Sequence, residues 1–223
     1  ARGRCAARCT GWATAGSGPT TSSVGPIPTT RPQKGGDRRG ARRPGRGGGE
    51  VRVGDETALR AFPPRRAGWS KRGEPARVVV SGRNARRPIP GALNAAGGEL
   101  VTTVRGRCRT DDVLAAVAAP GAVRPGVPKL LVWDNAPPHR PKRVEAAALA
   151  AGVELAFLPF RSPELMPLED LWRQLKATVA ANRCYGSIDE LAERAAAWLD
   201  AMGDEERRRR CGLRSSKYQW LPT

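Results

Sequence analysis

The chain has 223 residues, a formal net charge of +18 and a sequence pI near 11.2, which suits one ordinary domain with added segments and a polyanionic partner, nucleic acid being the usual one. A basic structural scaffold is the alternative reading of that charge. No apolar run approaches the roughly 20 residues of a bilayer crossing and no charged-then-apolar leader opens the chain, so a soluble cytoplasmic protein without a membrane role is expected.

The first 50 residues hold ten Lys/Arg against two acids, +8 of the total, with only Trp12, Val24 and Ile27 as large apolar groups. So little apolar surface cannot offset the entropy of ordering, and residues 1–49 are expected to be a disordered, basic Gly/Pro/Arg-rich segment. The run GRGGGE lacks the G-K-[ST] ending of a phosphate loop and is given no nucleotide role.

From residue 50 the texture changes. EVRVGDETALRAF alternates as a strand, with Val51, Val53 and Asp55 on one face. Segments 76–82, 89–94 and 99–106 read as further strands set apart by Gly, Pro and Asn turns. RTDDVLAAVAAP (109–120) is expected to be a helix capped by Thr110 and ended by Pro120. KLLVWDN then reads as a buried strand, PKRVEAAALAAG as a helix closed by Gly152, and VELAFLP as another strand. PLEDLWRQLKATVAAN (167–182) places Leu168, Leu171, Trp172, Leu175 and Val179 on one helical stripe. SIDELAERAAAWLDAMG opens with Ser187 and Glu190 at capping-box spacing. The run DEERRRRCG reads as a solvated charged face, and residues 203–223 as a basic C-terminal tail. Strands followed by alternating helix and strand, then helices, predict an α/β mixed sheet covered by helices.

Five cysteines without a C-x-x-C pair, and a single histidine, argue against a zinc site and for reduced, incidental thiols. Three carboxylates stand out instead. Asp55 lies toward the end of the first strand, Asp134 at the end of a central one, and Glu169 in the first turn of the following helix. Strand ends of α/β sheets gather sites. Three acids without histidine or cysteine suit hard, octahedral Mg²⁺ or Mn²⁺, and two such ions about 4 Å apart support in-line phosphoryl displacement. Spacing alone leaves this open, because a chain with 21 acids offers many triplets.

WDNAPPH followed by FLPFRSPELMPLEDLW closely resembles the catalytic core of the mariner-type DDE transposases, especially their bacterial insertion-sequence branch, and GDETALRAFPPRRAGWSKRGEP resembles that family's first acidic segment. Thirty-four residues separate Asp134 from Glu169, the interval of that group. The resemblance covers roughly residues 50–200. It implies an RNase H-like catalytic domain over 50–202, two Mg²⁺ ions with Mn²⁺ as a substitute, and DNA transposition by strand cleavage and joining. It further implies double-stranded DNA as partner, both element ends and target, a homodimer that synapses two ends, and a place at the nucleoid. Residue by residue, it carries the role of metal-binding catalytic acid onto Asp55, Asp134 and Glu169. Asn135 and His139 match as well: Asn135 orients Asp134 or hydrogen-bonds a phosphate, and His139 contacts DNA or simply packs the loop after Pro137 and Pro138. Glu56 matches but is expected to point away from the metals. Arg173, Lys176 and Arg183 recur near the helical face of Glu169. They are read as a row along a DNA backbone, with an ordinary Arg173–Glu169 pair as the alternative.

Three departures qualify the match. The family's helix-turn-helix modules have no counterpart in residues 1–50, so an N-terminally truncated copy is expected. Phe160-Arg161 replaces a Pro-Tyr. Met166 replaces an asparagine at the N-cap of the Glu169 helix, with Pro167 at its first position, and methionine cannot accept the cap hydrogen bond. The alternatives kept open are therefore a catalytically impaired DNA-binding remnant and another RNase H-like nuclease.

Overall fold

The structure, a computed structural model, describes residues 49–75, 77–80, 82, 84–102, 110–135, 142–160 and 162–221. His139 and almost all of the expected N-terminal segment lie outside these residues.

Five strands, β1 (Glu50–Arg60), β2 (Arg86–Asn94), β3 (Leu100–Thr102), β4 (Lys129–Trp133) and β5 (Val153–Phe157), form one sheet in the order β3-β2-β1-β4-β5. The first three pair antiparallel, whereas β1, β4 and β5 run parallel, so the sheet is mixed as expected. β2 begins earlier than the sequence pattern suggests and contains Pro88 and Pro90. The two share parity, and β3 pairs only with Gly91–Leu93. The prolines therefore sit where β2 has a neighbour on one side alone, so the donor that proline lacks is not missed. No strand forms over 77–80: Val79 is 79% exposed and this segment joins no ladder.

Among the described residues five α-helices pack with the sheet: α1 (Thr110–Ala122), α2 (Lys142–Ala150), α3 (Pro167–Leu175), α4 (Ile188–Asp200) and α5 (Asp204–Arg210). α1 runs two residues past Pro120, whose missing amide costs one bond to the carbonyl four residues back, and the helix ends within that turn. α2 is closed by Gly152 at φ +69, as expected. Ser187 caps α4, its hydroxyl accepting from the Glu190 amide at 3.0 Å.

Strand alternation divides the apolar residues between two faces. Val51, Val53, Leu59, Ile89, Leu93 and Val132 meet the stripe of Leu168, Leu171, Trp172 and Leu175 on α3, with Leu191 and Leu199 of α4 behind it. On the other face Ala92, Leu131, Trp133 and Val153 meet Val113 and Val117 of α1 and Val144 and Ala148 of α2. At the start of the β1–β4 ladder, where Glu50 pairs with Lys129, fully buried Arg52 is held by Glu50 at 3.0 Å and Glu99 at 2.6 Å. Lys129 donates to the carbonyls of Arg124 and Val127, both at 2.9 Å, and burial holds its pKa below the ordinary value.

The last twenty residues continue the fold through a short helix and further core side chains. Asp204, Glu205 and Glu206 pair with Arg207, Arg208 and Arg210 at helical spacing, so α5 largely neutralises its own charge. Cys211, Tyr218 and Leu221 then enter the core behind α3 and α4. Gly98, at φ +86, permits the close approach of α5, since a Cβ there would come within 2.2 Å of the Asp204 carbonyl. No helix among the described residues is long and apolar enough to cross a membrane.

Candidate functional site

The β1–β4 ladder ends at Gly54 and Trp133. Asp55 and Asp134 are the next residues on the two neighbouring strands. Asp55 is therefore mid-strand in β1, not near its end as expected, yet it stands at the level where β4 gives way to a loop. Alternation aligns it with Val51 and Val53, which face α3. Glu169 is the third residue of α3. The three acids thus come from three remote stretches of chain, Asp55 from the middle strand of the sheet.

Asp55 is coupled to the other two electrostatically. Asp55 is 8% exposed, and its Oδ2 has no hydrogen-bond partner among the described residues. Burial pushes its pKa up to about 7; the Glu56 backbone amide opposes the rise, and the charges of Glu169, Asp134 and Glu56 add to it. Glu56, expected to point away, is thus still felt by Asp55. A buried carboxyl oxygen without a donor, crowded by like charges, is a costly arrangement unless a cation shares the space. Among the described residues no three acid, histidine or cysteine side chains are grouped so that they could hold a metal ion. The charges of Glu169 and Asp134 thus reach Asp55, but the three acids are not gathered around one point. An all-oxygen set of this kind fits a hard divalent ion.

α3 begins at Met166, whose φ −98 and ψ 106 mark the N-cap and whose side chain makes no cap hydrogen bond. The methionine is instead buried in the main core, at 3% exposure. Pro167 occupies the first helical position. The adjacent acids of the first turn have different partners. Asp170 takes Arg173 at 2.8 Å and Lys217 at 3.9 Å, whereas Glu169 has no cationic partner among the described residues. The alternative Arg173–Glu169 pair is therefore not formed; Arg173 pairs one residue further along, at i,i+3 spacing.

The basic row also changes shape. α3 ends at Leu175 and continues as a π-helical turn over Lys176–Ala180, closed by Ala181 N–H on Lys176 O at 2.8 Å. The wider turn breaks the helical phase. Asn182 then takes φ 58, so Arg183 leaves the helix and does not share a face with Arg173. Arg183 is exposed and lines a surface pocket with Tyr185, Arg194 and Trp198. Lys176 is half-buried at the start of the π turn, and Asn135 half-buried just after Asp134.

The sequence reading missed Gly91. It is the cross-strand partner of Asp55, and a Cβ there would come within 2.9 Å of the Trp172 ring on α3. The signal was present as a glycine inside a strand pattern, which marks a close approach.

A family model described as DDE superfamily endonuclease matches residues 50–192. No curated protein matches the chain. Among solved structures it is similar to the Mos1 strand transfer complex, at TM-score 0.55 and 20% identity over 76% of this chain and 52% of that one. It is similar to the Mos1 mariner paired-end complex with Mn, at TM-score 0.58 and 18% identity over 76% and 53% of the two chains. It is also similar to the catalytic domain of Mos1 mariner transposase, at TM-score 0.51 and 16% identity over 76% and 78%. The chain thus spans about half the length of the proteins in those complexes. The likeness is one of fold: a mixed five-stranded sheet with helices on both faces, RNase H-like as in that catalytic domain.

Proposed function

The chain belongs to the DDE superfamily endonucleases, and on that premise we propose that it is a metal-dependent DNA-cleaving and strand-joining domain of the transposase kind. The observation that carries the proposal is Asp55, a buried carboxyl with an unpartnered oxygen that feels the charges of Asp134 and Glu169 from two other elements.

In this reading Asp55, Asp134 and Glu169 hold two Mg²⁺ ions, with Mn²⁺ as a substitute. When bound, such ions activate a water or hydroxyl and stabilise the leaving oxygen of an in-line phosphodiester displacement. The protein's part is placement. Asp55 comes from a strand with neighbours on both sides, which fixes its height in the sheet. Glu169 rides the first turn of α3, where the helix N-terminus favours a carboxylate. Arg173 and Lys217 occupy Asp170 and leave Glu169 for the ions. Asn135 orients Asp134 or meets a phosphate, and His139 contacts DNA; Arg173, Lys176 and Arg183 are separate phosphate contacts. Element ends and target DNA, and a dimer that brings two ends together, follow from the same reading. The absence of a cap hydrogen bond at Met166 favours a second reading, an impaired copy that binds DNA without turnover.

Incubating the whole chain with labelled duplex DNA and Mn²⁺ separates the two. Nicking that disappears in Asp134→Ala supports the enzyme. Salt-sensitive binding with no cleavage supports the impaired copy, and binding indifferent to salt removes DNA from the account.

A further inference from the structure

The loop leaving β1 carries Arg65, Arg66, Lys71 and Arg72 against one acid, Glu74, which Lys71 takes at 3.1 Å. Arg65, Arg66 and Arg72 are exposed and have no carboxylate partner among the described residues. Between them Trp69 is fully exposed. Trp133 and Trp172 are buried, and Trp198 and Trp220 pack against the core, so Trp69 is the one described tryptophan presented wholly to solvent. The base of this loop is fixed. Asn182 accepts from the Arg66 amide and donates to the Arg66 carbonyl, both at 2.9 Å, while its own amide reaches the Pro64 carbonyl at 3.0 Å. Asn182 adopts φ 58 to do so, at the end of the π turn that continues the Glu169 helix. One end of the loop thus follows the strand of Asp55, and its first turn is pinned to the helix of Glu169.

We infer that this loop is an arm for a DNA strand with an unpaired base, which stacks on Trp69 while Arg65, Arg66 and Arg72 take the flanking phosphates. The inference rests on the reading that DNA is the partner, and it names the form of DNA recognised. An indole offers a π-face to any base, and cations beside it follow the backbone, which is the usual design of a strand-holding surface. In intact duplex both faces of each base are covered by their neighbours. The indole can engage only where pairing has opened, as at a nick or a frayed end, and cleavage would create such a place.

The test compares the whole chain with Trp69→Ala and Trp69→Phe, measuring anisotropy of a fluorescein-labelled single strand and of the matching duplex. Trp69→Ala should weaken single-strand binding about thirtyfold, the middle of the range for one base–aromatic stack, while Trp69→Phe retains most of it. The salt slope should not change, because no charge is removed; Arg65→Gln or Arg66→Gln should each flatten it by about 0.7. A 2-aminopurine in the strand should be quenched by the parent chain and not by Trp69→Ala. Single-strand affinity unaltered in Trp69→Ala overturns the inference. So does self-association of the DNA-free protein that depends on Trp69 while DNA binding does not, since the indole would then belong to a second copy of the chain. The two readings fail separately: cleavage that needs Asp134 but ignores Trp69 sinks only the arm, and Trp69-dependent binding without cleavage sinks only the nuclease.

Discussion

The ring of Trp172 lies against the backbone of Gly91, so close that a single added carbon at 91 would come within 2.9 Å of it. Gly91 is the partner of Asp55 across the β1–β2 ladder, and Trp172 follows Glu169 by three residues on α3. The contact therefore sets how near the helix, and with it Glu169, can come to the strand of Asp55. Gly91→Ala should overpack this junction at a cost of about 1–3 kcal/mol. Nicking should fall further than the stability loss explains, on the order of 100-fold, because small misplacements of reacting groups are expensive. Adding Trp172→Leu should recover part of the activity although it further loosens the core. Thermal unfolding and nicking measured on the same samples check both halves.

Asp55 gives the pH dependence. Its folded pKa, about 7, lies above the ordinary 3.8. The folded state thus holds this proton more tightly than the unfolded chain does. In the metal-free protein stability is lost as pH rises from near 4 to near 7, and above 7 the whole penalty is present. Its upper size is on the order of 4 kcal/mol, from a raise of 3.8 to about 7. Asp55→Asn should flatten that pH profile and melt higher than the parent at pH 8 in chelator. Adding Mn²⁺ should raise the parent's melting temperature and leave the variant's unchanged. A parent profile already flat between pH 4 and 7 would contradict this account.

Met166 joins two opposing effects. Asparagine there would supply the missing cap bond, typically worth about 1 kcal/mol. It would also replace a methionine that is 3% exposed, whose burial contributes about 1.5–3 kcal/mol. Met166→Asn should therefore lower the melting temperature while raising Mn²⁺-dependent nicking per folded molecule. Equal activity per folded molecule would show that the cap does not limit how Glu169 is aimed.

The thiols should separate cleanly. Cys211 is buried, and burial pushes its pKa up to about 12, whereas Cys184 is exposed. A thiol reagent at pH 8 should label Cys184 in the native protein and reach Cys211 only on unfolding. Peptide mapping before and after denaturant reads this directly.

The elements that carry the three acids were legible because they rest on local patterns. Strand alternation put Asp55 on the face of Val51 and Val53, and the apolar run ending at Trp133 placed Asp134 just past a buried strand. The stripe from Leu168 to Val179 is buried as its spacing required. What the sequence could not carry was contact between distant parts. It did not show that Asp170, not Glu169, takes Arg173, because both acids lie within one helical turn of that arginine. The π turn that moves Arg183 off the helix has no residue signature in KATVA. The run of arginines lies on the surface as its charge suggested, but nothing in it showed that its helix pairs internally and leads to Tyr218 and Leu221 in the core.

That inward turn carries the folding unit beyond the stretch the family model matches. The family resemblance closes at residue 192, but Leu199, Met202, Cys211, Tyr218 and Leu221 finish the apolar wall behind α3 and α4. A fragment ended at the family boundary would retain all three acids and expose that wall to water. It should be recovered as aggregate, whereas one carried through Leu221 should stay in solution.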